Sequence, residues 1–128
     1  MKEKSDLVKF WIKKAENDLI TAENLLKILP GPPLDIICFH AQQCAEKYLK
    51  SFLIHHGIEF EKTHNLGDLI LLAAQIDGSF KKILEMGEKL TPYAVEIRYP
   101  GVLDEEITIE KAKEAVELCI KNQEICIK

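Results

Sequence analysis

The chain has 128 residues, 47% hydrophobic and 30% charged, and its 17 basic and 21 acidic residues leave a net charge of -4. Those values suit one soluble domain that buries its core without disulfide staples, and they argue against nonspecific nucleic-acid binding, which needs a concentrated basic surface. No apolar run approaches the ~20 residues that span a bilayer, and the opening MKEKSDLVKF lacks the apolar core of a signal peptide, so a cytoplasmic protein with no membrane partner is expected.

Proline and glycine punctuate the chain at Pro30-Gly31-Pro32-Pro33, Gly57, Asp77-Gly78, Gly87, Pro92 and Pro100-Gly101. Between these points the pattern is helical. A first helix is predicted from about Ser5 to Leu29, with Leu7, Phe10, Trp11, Ala22, Leu25, Leu26 and Leu29 in its apolar stripe. Lys14 and Asp18 interrupt that stripe four residues apart. Such spacing suits an ordinary helical ion pair; the alternative is that Asp18 faces a polar pocket. The second helix is predicted from about Pro33 to His56, with Gly57 as its stop. His55 and His56 fall in its last turn, where cations favour the helix dipole.

A third helix is expected after Thr63 or Asn65, through about Ile76, and a short one over Phe80 to Leu90. Tyr93 to Arg98 reads as a further short helix stopped by Pro100. The last helix opens near Thr108 and runs to about Ile125. No run of strand alternation exceeds four or five residues. The fold class is all-α: an up-and-down four-helix bundle with one or two additional short helices, as a single domain over residues 1–128.

The densest chemistry lies in ICFHAQQCAEKYLK, Ile37 to Lys50. Cys38, His40 and Cys44 suggest a metal site or a nucleophile beside its base. Helical geometry opposes both. Cys38 and His40 point about 200° apart, and a zinc site needs at least three converging ligands. No metal or cofactor is expected. Leu34, Ile37, Cys38, Ala41, Cys44, Ala45, Tyr48, Leu49, Phe52 and Leu53 form one broad apolar face, on which free cysteines behave as small hydrophobes. The four cysteines, at 38, 44, 119 and 126, contain no CxxC pair and are expected as reduced thiols. Gln42 and Gln43 suit either a helix interface or a solvated face. Glu46 and Lys50 read as an ordinary helix-supporting pair.

Taken in order, WIKKAENDLITAENLL, CFHAQQCAEKYLKSFLIHHG, KTHNLGDLI and YAVEIRYPG before a final amphipathic helix resemble the HEPN family over nearly the whole chain. The resemblance implies a bundle of four or five helices, a homodimer, and a companion role to a minimal nucleotidyltransferase as its nucleotide- or substrate-binding subunit. Many such pairs behave as toxin–antitoxin modules whose HEPN member is a metal-independent RNase. The RNase branch carries an arginine followed after four to six residues by histidine, one holding phosphate and the other exchanging protons. Here the arginine is Arg98, and Leu103, Asp104 and Glu105 stand where that histidine belongs; no histidine follows His64. The tyrosine that partners nucleotidylate in some toxins is replaced by Ile107, and Tyr99 does not match it. The expectation is therefore a non-catalytic, nucleotide-binding partner of a nucleotidyltransferase. Arg98, Tyr99, His40 and Lys47 line its ligand cleft, and DNA is not a partner. The alternatives are a diverged endoribonuclease acting on RNA through His40 or His64, and a purely structural dimer.

Overall fold

The computed structural model describes residues 3–94 and 107–127. Among these residues the chain forms five α-helices and no strand: α1 (Lys4–Leu26), α2 (Leu34–His55), α3 (Leu66–Ala74), α4 (Leu84–Leu90) and α5 (Ile109–Cys126). Short 3₁₀ segments at Gly78–Ile83 and Thr91–Ala94 flank α4. The all-α bundle expected from the periodicity is the fold observed.

Helix α2 is the hub, packed against α1, α3 and α5. Its apolar face puts it there. Ile37, Cys38, Ala41, Cys44, Ala45, Tyr48, Leu49, Phe52 and Leu53 are all buried, and full burial of a leucine-sized side chain stabilises by about 2 kcal/mol. Small residues set the spacing. Ala15 and Ala22 on α1, Ala41 and Ala45 on α2, and Ala112 and Ala115 on α5 are all buried, which lets the three long helices approach closely.

Side-chain contacts fix the helix directions. Trp11, early in α1, lies under the Lys50 ammonium late in α2, while Asp18 further along α1 meets Lys47 and His40. The two helices are therefore antiparallel. Helix α5 runs parallel to α2: the Cys119 thiol donates to the Ala41 carbonyl, the Asn122 amide to the Ala45 carbonyl and the Gln123 amide to the Tyr48 hydroxyl, so contacts advance together along both helices.

Three details differ from expectation. Helix α1 stops at Leu26 rather than Leu29, and Leu29 is 84% exposed. The row that α1 buries is Ala15, Asp18, Leu19 and Ala22, while Leu7 and Phe10 are left partly in solvent. The predicted Phe80–Leu90 helix is 3₁₀ up to Ile83 and α-helical only from Leu84; Asp77 caps Ser79 and opens the segment in the tighter winding. Elsewhere the stop and start signals act as anticipated. Gly57, at φ 70°, ends α2 with two paired hydrogen bonds, Gly57 N to the Ile54 carbonyl and Ile58 N to the Leu53 carbonyl. Asn65 accepts from Asp68 N to cap α3, and Thr108 accepts from Lys111 N to cap α5. Helix α3 then lies close to α4, where a Cβ on Gly87 would stand 2.4 Å from Ile70 Cδ1.

Candidate functional site

The polar residues of α2 do not face solvent as a strip. They sort into two clusters, each built on one buried carboxylate. In the first, Asp18 from α1 accepts from His40 Nδ1 at 2.9 Å through one oxygen and from Lys47 Nζ through the other. In the second, Glu46 accepts from His64 Nδ1 at 2.7 Å and from Gln42 Nε2 at 3.2 Å through Oε1, and from Lys50 Nζ at 3.0 Å through Oε2. Each carboxylate thus holds one histidine and one lysine.

The first cluster explains why Asp18 interrupts an apolar stripe. It belongs to the buried row of α1 and would carry an uncompensated charge there without partners. The expected Lys14–Asp18 pair does not form. Lys14 instead lies over the Phe10 ring at 5.6 Å, and cations from α2 take both oxygens of Asp18. The sequence-predicted residues His40 and Lys47 are therefore brought together by Asp18, in the manner of the alternative reading in which that residue faces a polar pocket. Their side chains keep 27% and 20% exposure, so one edge of each reaches the surface.

In the second cluster the expected i, i+4 pair of Glu46 and Lys50 forms, and it does so in a buried setting, where Lys50 also stacks over Trp11 at 5.7 Å. Gln42 is fully buried and bridges Glu46 to the His64 carbonyl at 3.1 Å, and Gln43 donates to Gln42 Oε1 at 2.7 Å. The glutamines thus belong to an internal network rather than a solvated face.

Both histidines are held the same way. An ionised carboxylate only accepts, so Nδ1 carries the hydrogen in each ring, and in the neutral form Nε2 keeps its lone pair. The cysteines are packing residues. Cys38, Cys44 and Cys119 are buried. Burial, helped by Asp35, pushes the Cys38 thiol up to about 11, and burial also pushes Cys119 and Cys126 up. Thiols so placed stay protonated and are poor nucleophiles. Arg98 and Tyr99, with positions 103 to 105, lie outside the described residues.

The chain is similar to known proteins over most of its length. The family model for the HEPN domain matches residues 8–126. A protein of Methanocaldococcus jannaschii named "Putative toxin MJ1304" is 34% identical over 125 residues, covering 91% of this chain and 80% of that protein. The crystal structure of ST0689, an archaeal HEPN homologue, superposes with a TM-score of 0.73 at 30% identity, over 98% of this chain and 96% of that one. The crystal structure of TT1696 from Thermus thermophilus gives a TM-score of 0.75 at 25% identity, over 93% and 94%.

Proposed function

The chain belongs to the HEPN domain family, and from that premise we propose that it is the nucleotide- or substrate-binding member of a toxin–antitoxin-type pair, working with a minimal nucleotidyltransferase. The observation that carries this reading is the shared carboxylate of Asp18. It gathers an imidazole and an ammonium from α2 onto one spot with their edges at the surface. When His40 is protonated, the three groups carry one net positive charge, which suits a phosphate. Arg98, with its fixed bidentate fork, is the natural second phosphate contact, and Tyr99 can stack on or hydrogen-bond the ligand.

The sequence after Arg98 supports binding over cutting at this site. Leu103, Asp104 and Glu105 offer no imidazole to exchange protons. The toxin-named relative is consistent with a two-component module. Pairing as a homodimer is part of the same reading. Co-expression with a nucleotidyltransferase encoded beside it, followed by size-exclusion chromatography and calorimetric titration with ATP, GTP and AMP, tests the proposal. A stable complex and saturable nucleotide binding are expected. Failure of the chain to bind either partner or nucleotide contradicts it.

A further inference from the structure

The second carboxylate cluster is not needed for ligand binding at Asp18, yet it is the more completely built of the two. Lys50 and Gln42 fix Glu46, and Gln42 also donates to the His64 carbonyl, so one amide holds both the carboxylate and the loop backbone. Glu46 is 5% exposed, whereas the His64 imidazole that it holds at Nδ1 is 54% exposed. Among the described residues nothing bonds to His64 Nε2. Its lone pair is therefore free, on a ring whose other nitrogen gives its hydrogen to a buried carboxylate. Such a partner fixes the tautomer and the ring and raises the basicity of the free nitrogen. It also stabilises the positive charge that the ring gains when Nε2 forms a bond. These are the properties of a nucleophile.

The other histidines lack this combination. His55 and His56 are exposed, but their rings contact each other and Phe52, and among the described residues neither meets a carboxylate. They also stand at the C-terminal end of α2, where the helix dipole disfavours an added anion. His40 has its carboxylate but is only 27% exposed. A metal at His64 would need further ligands, and no three His, Cys, Asp or Glu side chains among the described residues are grouped to hold one. A single nucleophilic nitrogen suits an electrophile instead. The exposed Lys62 on the same loop favours one that carries phosphate.

We propose that His64 is a phosphoryl-acceptor site, with Glu46 as its positioning residue, and that it takes the group from a donor of the phosphoramidate class, in which phosphorus is bonded to a protonated amine nitrogen. The lone pair of His64 Nε2 bonds to phosphorus. The phosphorus–nitrogen bond of the donor breaks, and its electron pair leaves on that nitrogen as a free amine. The Nδ1 hydrogen stays between the ring and Glu46, and the carboxylate balances the charge that the ring has gained. The product is a phosphohistidine at Nε2, on the loop ahead of α3 and separate from the ligand site at His40 and Lys47.

The test incubates the purified full chain with inorganic phosphoramidate and follows phosphate on each of the four histidines by peptide mass spectrometry. His64 should be labelled first, about tenfold faster than His40, His55 or His56, and the adduct should be lost in acid and kept in alkali. In urea that unfolds the chain the four rates should converge, because Lys62 stays near His64 along the sequence and Glu46 does not. Glu46→Gln, checked for folding by circular dichroism, should bring the His64 rate down to that of His55 and leave the His55 rate unchanged. Equal labelling of His64, His55 and His56 in the folded wild-type chain overturns the proposal. So does a His64 preference that persists in urea or in folded Glu46→Gln. The comparison of folded with unfolded wild-type chain decides the matter even where the variant does not fold. None of these results bears on nucleotide binding at Asp18, which is measured separately.

Discussion

Three Glu–Lys pairs show how much a residue's surroundings matter. Glu46–Lys50, Glu85–Lys89 and Glu117–Lys121 share the same i, i+4 spacing. In the first, the side chains are 5% and 10% exposed; in the second, 83% and 71%. Removing one partner of a buried pair strands a charge, so Glu46→Ala should cost about 3 kcal/mol in denaturant unfolding. Glu85→Ala should cost no more than about 0.5 kcal/mol. Equal losses at the two sites would contradict the buried network. The spacing alone could not separate these pairs, because depth comes from what packs over the helix. Asp18 makes the same point. Its partners lie 22 and 29 residues away on another helix, beyond the reach of a local pattern.

The Cys38 thiol gives a second prediction at this scale. Its folded-state pKa is raised to about 11 from an ordinary 9.0. The unfolded chain therefore loses that proton first as pH rises, and stability falls between about pH 9 and 11. Below pH 9 the contribution is fully present. Urea midpoints measured across this window should fall, and Cys38→Ala should flatten the part due to this group. A wild-type midpoint that rises through the window would contradict the assignment.

At the scale of elements, the contact between α3 and α4 depends on a missing side chain. A Cβ at Gly87 would stand 2.4 Å from the Cδ1 of buried Ile70. Alanine favours the helix by about 1 kcal/mol, but the crowding should outweigh that and leave Gly87→Ala destabilised by about 1 kcal/mol. The clearer measurement is a double-mutant cycle. Ile70→Val removes Cδ1, so the two changes together should cost less than their sum. Strict additivity would show that the helices move apart at no cost. The start of α5 is simpler: Thr108→Ala removes the hydrogen bond to Lys111 N and should lower stability by about 1 kcal/mol. Both ends of α5 and the cap of α3 were legible in the sequence, since caps are local chemistry. The break of the Phe80–Leu90 segment into 3₁₀ and α-helix was not, because both windings use the same residues.

For the whole molecule, the hub role of α2 was readable from its unusually broad apolar face. Ten residues at helical spacing cannot be satisfied by one neighbour, so α2 must lie between several helices, as it does. The direction of α5 was not readable, since it follows from thiol and amide contacts more than seventy residues apart. Function follows the same division. Arg98 was marked by the family resemblance, and His40 and Lys47 as candidates to line the same cleft, whereas the carboxylate that joins His40 to Lys47 took its place only when α1 was laid against α2. The account rests on these cations forming a phosphate site. Calorimetric titration of the wild-type chain and of Arg98→Ala with ATP tests that claim most directly. Saturable binding by wild type, weakened at least about tenfold in the variant by loss of a charge-assisted contact, is the predicted result; no heat with wild type, or equal affinity in both, would contradict it.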